Sequence, residues 1–159
     1  LDAGTAAFKS EPVDVRRLIE RALEPLQIPL EIKKQRLVIH GGEGASFTGD
    51  LNWSAEALTN VVKNCVEHTP EGGTIEISYG ANALYAEIIV SDDGEGIASR
   101  DLPTIFNRFY RGETAGENSV GIGVALAKAI FNAQGGDIAV RSQPGVGTSF
   151  NIRVFRGVV

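Results

Sequence analysis

A carboxylate at the end of an apolar strand, followed by two glycines, is the segment of this sequence whose chemistry is most constrained. In Val90 to Ile97, VSDDGEGI, the alternation through Ala86, Ile88 and Val90 predicts that Asp92 points to the same strand face as three apolar side chains. A polar group facing a core without a partner costs on the order of 2 to 7 kcal/mol, and an isolated charge costs more. Asp92 therefore needs a donor. Gly94 and Gly96 remove Cβ atoms where the backbone turns, which leaves room for a flat ligand whose amino group would be that donor. On this segment alone a second reading stands beside the pocket: DDGEG as a polar turn closing a hairpin.

A helix expected from about Leu51 to Glu67 carries a second chemical feature. At about 100° per residue, Leu51, Ala55, Leu58, Val62, Cys65 and Val66 fall on one side, and Asn60, Asn64, Glu67 and His68 gather on the other. A polar stripe is ordinarily a solvated face, but Asn is a mediocre helix former that competes for its own backbone, and Lys, Glu or Gln would serve solvation better. An amide oxygen is a hard ligand suited to Mg2+, an ion that keeps several waters and takes phosphates as its other ligands, so Asn64 is a candidate metal ligand. His68 reads as a C-terminal cap and Cys65 as packing. Gly121 and Gly123, in SVGIGVALAK, enter the start of another helix, where free N–H groups and the dipole favour an anion; glycine there also serves close packing. The run is neither GxGxxG nor a Walker sequence, and the chain has no HRD, DFG or GxSxG element.

These residues need elements to hold them. The apolar positions Val15, Leu18, Ile19, Ala22, Leu23 and Leu26 predict a first helix over about Val13 to Leu26, with Asp14 as a candidate cap. Leu37 to His40 reads as a strand, GGEGAS as a loop, and Asp50 as the cap of the Leu51 to Glu67 helix. Thr74 to Tyr79 and Leu84 to Ser91 read as a hairpin. Ala98 to Val120, rich in Gly, Glu, Asn and Arg and without periodicity, is expected to be a partly mobile lid. A helix from about Gly121 to Gln134 ends at Gly135 and Gly136, and two strands, Ile138 to Arg141 and Thr148 to Val154, close the chain.

At 159 residues the chain has the size of one domain, and 43% hydrophobic with 22% charged residues are globular values. No run approaches the ~18 apolar residues of a membrane span. A net charge of -5 argues against a nucleic acid or an anionic membrane as the main partner, since both demand clustered Lys and Arg. One cysteine excludes an internal disulfide, and with only two histidines a zinc site is implausible. A chain beginning with Leu1 and lacking methionine reads as a fragment of something longer.

Taken in order, NVVKN, DDGEGI, IFNRFYRG, GIGVALAK and GVGTSF resemble the N, G1, F, G2 and G3 boxes of the ATP-binding domain of sensor histidine kinases. LDAG followed by EPVDVRRLIERAL looks like that family's exit from its dimerisation helices, so residues 1–12 would be the end of a dimerisation helix and linker, and 13–159 the catalytic domain. The resemblance implies an α/β fold of the Bergerat type, an α+β two-layer sandwich with a mixed sheet of about five strands under three helices and a mobile ATP lid. It implies ATP and Mg2+ as cofactors. Asp92 would accept a hydrogen bond from the adenine amino group, backed by Thr148 through water, and Gly94, Gly96 and Ile97 would line the base. Asn64 would coordinate Mg2+, Asn60 would lie beside the phosphates as a catalytic group, and Gly121, Ile122 and Gly123 would receive the phosphate chain. Arg108 and Arg111 fall where the family has basic lid residues, Arg108 as a catalytic group and Arg111 as a nucleotide contact, because a charge-assisted pair suits phosphate. Phe106 and Phe109 would anchor the lid as apolar plugs, and Tyr110 fits either role.

The chain departs from the family pattern at three positions. Glu67 stands where Lys is common, Ser119 where the first glycine of the G2 box is expected, and Val124 where leucine is usual. The first removes a phosphate contact, the second restricts the lid backbone, and the third is a packing change. Relatives that hydrolyse ATP have a glutamate four residues before the Mg2+ asparagine; here that position is Asn60, and an amide is no general base. The resemblance therefore implies phosphoryl transfer to a histidine. Neither VIHGG nor EHTPE matches the family's phosphoacceptor motif, so the acceptor would lie on a dimerisation and phosphotransfer domain elsewhere in the parent, with a cognate response regulator as the next partner. The domain would be cytoplasmic and its parent anchored in the bacterial inner membrane. Two alternatives stay open: a non-catalytic nucleotide-sensing module, and an anti-sigma-type Ser/Thr kinase of the same fold.

Overall fold

A computed structural model describes residues 7–106 and 119–156 and, in the helix that begins at Ser119, the side chains from Gly123 onward. Its centre is a five-stranded mixed sheet of β2 (Arg36–Gly41), β4 (Thr74–Ala81), β5 (Tyr85–Asp92), β7 (Gly147–Phe155) and β6 (Gly136–Gln143), in that spatial order. β2 runs parallel to β4, and the other pairs are antiparallel. Period-two alternation sends Ile75 and Ile77, then Ala86, Ile88 and Val90, then Phe150, Ile152 and Val154 into one buried layer. Against that layer pack α1 (Val15–Leu23), α3 (Leu51–His68) and α4 (Ser119–Ala133). This is the two-layer α/β sandwich that the motifs imply.

α3 occupies the middle of the helical layer, touching α1, α4 and β5. Asp50 fixes its start. One carboxylate oxygen accepts from Trp53 N at 2.9 Å and the other from Lys9 N at 2.9 Å, capping the helix and holding the lead-in segment at once. Phe8 in that segment lies against Trp53, ring centroids 5.4 Å apart.

Several elements differ from the sequence expectation. Val13 lies in a short strand, β1 (Glu11–Asp14), paired with β3 (Ser46–Gly49) as a separate two-stranded ribbon, and α1 starts at Val15, where the Asp14 carboxylate accepts from Arg17 N at 3.0 Å. The first helix stops at Leu23, because Pro25 has no N–H for the carbonyl four residues back and its ring crowds that turn. The chain continues as a 3-10 turn, Glu24–Leu26, and a short α2 (Gln27–Ile32). α4 begins at Ser119, two residues before the expected Gly121. Of the expected lid, Ala98 to Phe106 is described and contains a 3-10 turn, Leu102–Thr104; Arg108, Phe109, Tyr110 and Arg111 lie outside the described residues.

Candidate functional site

The strand alternation delivers Asp92 to the buried side at the end of β5, where its Cα pairs with Ile75 on one neighbour and Thr148 on the other. Its Oδ1 accepts from Gly94 N at 2.9 Å and Thr148 N at 3.2 Å. Its Oδ2 is shielded from solvent and has no hydrogen-bond partner among the described residues. Burial pushes the carboxyl above the ordinary carboxylate range, against the N–H groups of Gly94 and Thr148, the Cys65 thiol and the His68 imidazole, all of which favour the charged form.

The two glycines after Asp92 serve a purpose other than ligand clearance. A Cβ on Gly94 would collide with the carbonyl of His68 at the end of α3, and one on Gly96, where φ is +79°, with the carbonyl of Gln143 at the end of β6. The turn is therefore wedged between two backbone segments, and glycine is required by the protein's own packing. Gly145 N donates to Glu95 O at 2.8 Å and Ile97 N to Ser142 Oγ at 2.6 Å, which fix the turn to the β6–β7 connection. Open clefts flank it. One of about 350 Å³ is lined by Asp92, Ser142, Val146 and Thr148, and one of about 450 Å³ by Lys33, His68, Gly94 and Glu95.

On α3, Asn60, Asn64 and His68 follow one another at intervals of four and share a face. The stripe is not a solvated face at its centre, in keeping with its asparagines: Asn64 is only 5% exposed, and its Nδ2 has no partner among the described residues. The helix is covered on several sides, so a polar side chain opposite the apolar stripe is still buried. His68 Nδ1 lies 3.3 Å from Glu95 Oε1, while its Nε2 is buried without a partner among the described residues. His68 thus faces the pocket, and the α3 carbonyl ends are taken instead by Lys33 Nζ, 2.8 Å from Val66 O and 3.3 Å from Glu67 O. Cys65 is fully buried as expected, but its thiol also faces Asp92, and burial with that carboxylate raises its pKa well above the ordinary thiol value. Glu67 is exposed.

Asn60 meets Gly123: a Cβ on this fifth residue of α4 would stand 3.7 Å from the Asn60 side chain. Being inside the helix rather than ahead of it, Gly123 contributes space beside Asn60. Gly121 and Ile122 lie in the first turn of α4. Phe106 packs partly against the core with Lys128 Nζ 4.6 Å from its ring centroid. Thr148 is 6% exposed, with Oγ1 2.8 Å from Ser142 Oγ. Ser142 was not singled out by its sequence; the available signal is a hydroxyl at the third inward position of Ile138, Val140 and Ser142, one strand from Thr148.

Among the described residues no group of three or more His, Cys, Asp or Glu side chains could hold a metal ion. A divalent cation here would have to take most of its ligands from water and from a bound phosphate. Asn64 would offer such a metal its amide Oδ1, while its orphaned atom, Nδ2, is a donor that no cation satisfies and that suits a phosphate oxygen beside it.

A family model described as histidine kinase-, DNA gyrase B-, and HSP90-like ATPase matches residues 49–157. The heme sensor protein HssS of Staphylococcus saprophyticus is 28% identical over 152 residues, 96% of this chain and 33% of that protein. The chain thus spans about a third of the length of that relative. Among solved structures, the mycobacterial sensor histidine kinase MprB superposes with a TM-score of 0.77 at 26% identity, covering 91% of this chain and 97% of that one. The nucleotide-free catalytic domain of the histidine kinase ThkA gives 0.81 at 19% identity over 95% and 98% of the two chains, a likeness of fold.

Proposed function

The chain belongs to the histidine kinase-, DNA gyrase B-, and HSP90-like ATPase family, and on that premise we propose that it is the ATP-binding catalytic domain of a two-component sensor histidine kinase. It transfers the γ-phosphoryl group of ATP to a histidine on a dimerisation domain of the same parent. The observation that carries this reading is the Asp92 carboxylate, pinned through Oδ1 by two backbone N–H groups, with a buried Oδ2 that no N–H or O–H group of the described residues satisfies. An exocyclic amino group of adenine supplies the missing donor, and a charged acceptor makes that bond stronger than a neutral one.

In this reading Gly94, Gly96 and Ile97 line the base, and Asn64 presents its amide to Mg2+. When bound, that ion neutralises charge developing on the β- and γ-phosphates. Asn60, against Gly123 at the α4 end of the site, lies beside the phosphates; as an amide it cannot take a proton from water, which favours transfer over hydrolysis. Gly121, Ile122 and Gly123 border the phosphate chain. Arg108 and Arg111 carry over from the motif as phosphate contacts. The partners are the dimerisation and phosphotransfer domain and a response regulator. We place the domain in the cytoplasm, with its parent anchored in the inner membrane; no helix among the described residues is long and apolar enough to cross a membrane.

The test supplies the parent's dimerisation domain in trans with ATP labelled at the γ-phosphate. Acid-labile, Mg2+-dependent label on a histidine is the expected result. Hydrolysis at tens of turnovers per minute without the partner would overturn it, and tight nucleotide binding without transfer would favour the nucleotide-sensing module that Glu67, in place of the usual Lys, leaves open.

A further inference from the structure

Ser142 stands at the crossing of three hydrogen bonds. Ile97 N donates to its Oγ at 2.6 Å, its Oγ donates to Gly147 O at 3.1 Å, and Thr148 Oγ1 lies 2.8 Å away. A serine hydroxyl has one proton and two lone pairs. The backbone N–H of Ile97 fills one lone pair. The carbonyl of Gly147 can only accept, so that bond uses the serine proton. The remaining lone pair faces Thr148, and the bond between the two hydroxyls then has one polarity: Thr148 donates to Ser142.

That polarity fixes what the cleft offers a ligand. With its proton directed to Ser142, Thr148 Oγ1 presents only lone pairs, and its backbone N–H is already engaged by Asp92 Oδ1 at 3.2 Å. Asp92 Oδ2, buried without a partner on the adjacent strand, is in its ionised form likewise an acceptor. Thr148 and Asp92 pair directly across β7 and β5 and line the same cleft, so this pair displays two acceptors and no donor of its own. A purine with a 6-amino group offers two N–H bonds to such a pair. A purine with a 6-oxo group offers another acceptor there.

We propose that Ser142 is a specificity-determining positioning residue: by holding the Thr148 proton it makes the base-reading end of the pocket accept only, selecting 6-amino over 6-oxo purines. The inference rests on the nucleotide-binding reading and deepens it. Ser142 does its work through Thr148 without touching the base. The same hydroxyl anchors Ile97 N, so the turn after Asp92 is set in the register at which the two acceptors face one ligand.

The test is calorimetric titration of the purified chain with ADP and with IDP, which differ in the 6-substituent. Wild type is expected to prefer ADP. In Ser142→Ala the Thr148 hydroxyl is free to turn and donate to a 6-oxo group, so the ADP-to-IDP affinity ratio is expected to fall at least about fivefold, the direction expected when a polarity-matched site loses its fixed partner. Ser142→Thr, which keeps the hydroxyl on a β-branched residue suited to a strand, restores the ratio. A purely structural role would lower both affinities together and leave the ratio unchanged, which overturns the inference. Where Ser142→Ala fails to unfold cooperatively, Thr148→Val serves instead: it leaves Ser142 to hold Ile97 while removing one acceptor, and it must also narrow the ratio. Wild type that binds ADP and IDP equally overturns this inference alone; wild type that binds neither overturns the nucleotide reading with it.

Discussion

Asp92→Asn separates binding from stability in opposite directions. The amide oxygen of the variant can take the place of Oδ1 and keep the N–H bonds from Gly94 at 2.9 Å and Thr148 at 3.2 Å. The amide nitrogen then occupies the position of Oδ2, which is buried and unpartnered, and turns a charged acceptor into a donor facing the adenine amino group. Losing one hydrogen bond to a charged group costs about 1.5 to 3 kcal/mol. Opposing two donors adds to this, so an ATP analogue should bind at least about 30-fold more weakly.

The unliganded fold should respond the other way. Burial raises the folded-state pKa of Asp92 above its ordinary value. In the window between the unfolded and folded values the native state holds more protons, so stability falls as pH rises through that window, and the cost is fully present above the folded pKa. Asparagine has no charge to desolvate. At pH 7 Asp92→Asn is therefore expected to unfold at a temperature equal to or above that of wild type, and the advantage should shrink toward about pH 4 and vanish well below it, where the carboxyl is protonated in both states. Calorimetric titration with a non-hydrolysable ATP analogue, beside thermal unfolding at pH 7 and pH 4, reads both effects. Binding within threefold of wild type, or a lower melting temperature at pH 7, would refute the account of the carboxylate as a desolvated acceptor waiting for a donor.

Asn64→Ala is expected to abolish the Mg2+ dependence of nucleotide binding and leave metal-free affinity within about threefold of wild type, since one ligand in a mostly aquated shell is lost; a Mg2+ effect of wild-type size in titrations would remove Asn64 from the site. Gly96→Ala forces a side chain into φ +79° and into the Gln143 carbonyl; a loss of about 1 to 3 kcal/mol should lower the melting temperature by roughly 2 to 4 °C per kcal/mol, and an unchanged melt by circular dichroism would show that the turn has other room. The Cys65 thiol, fully buried and with its pKa raised by desolvation and by Asp92, should resist alkylation at pH 8 in the folded protein and react once unfolded in guanidinium. Rapid native labelling followed by mass spectrometry would contradict that placement.

What the sequence made legible was governed by short-range periodicity. Asp92 could be assigned to the buried face because Ala86, Ile88 and Val90 count it there, and Asp14 and Asp50 declared themselves as caps because they sit just ahead of apolar helical patterns. The strands β1 and β3 escaped notice for the opposite reason: in the described chain each spans four residues, with Val13 alone fully buried in the first and Phe47 and Gly49 in the second, too little for alternation to register. The burial of Asn64 was not legible because a helical wheel has two sides, whereas α3 has neighbours on α1, α4 and β5. The glycine requirement at Gly94 and Gly96 arises from His68 and Gln143, 26 residues before the one and 47 after the other, and Ser142 acquires meaning only through the register of β6 against β7. Such long-range contacts leave no periodic trace.

The described residues contain five buried side-chain polar atoms without a partner, and three of them, Asp92 Oδ2, Asn64 Nδ2 and His68 Nε2, belong to the pocket. Each unsatisfied atom costs about 1 to 3 kcal/mol, so their concentration calls for a reason the protein does not relax them away. Asp92 cannot rotate toward solvent without breaking the two N–H bonds at Oδ1, and those donors are themselves fixed. Gly94 is wedged against His68, and Thr148 is held in the β5–β7 ladder and through Ser142. Asn64 is carried by a helix closed in by its neighbours. The cost is thus locked in by backbone geometry rather than by side-chain choice. That is the condition for preorganisation: a ligand that brings the missing donor gains the full bond without first having to order the acceptor. By the same logic, substitutions that loosen the turn, such as Gly96→Ala, should weaken nucleotide binding by letting Oδ2 find water, even where every residue that touches the ligand is intact.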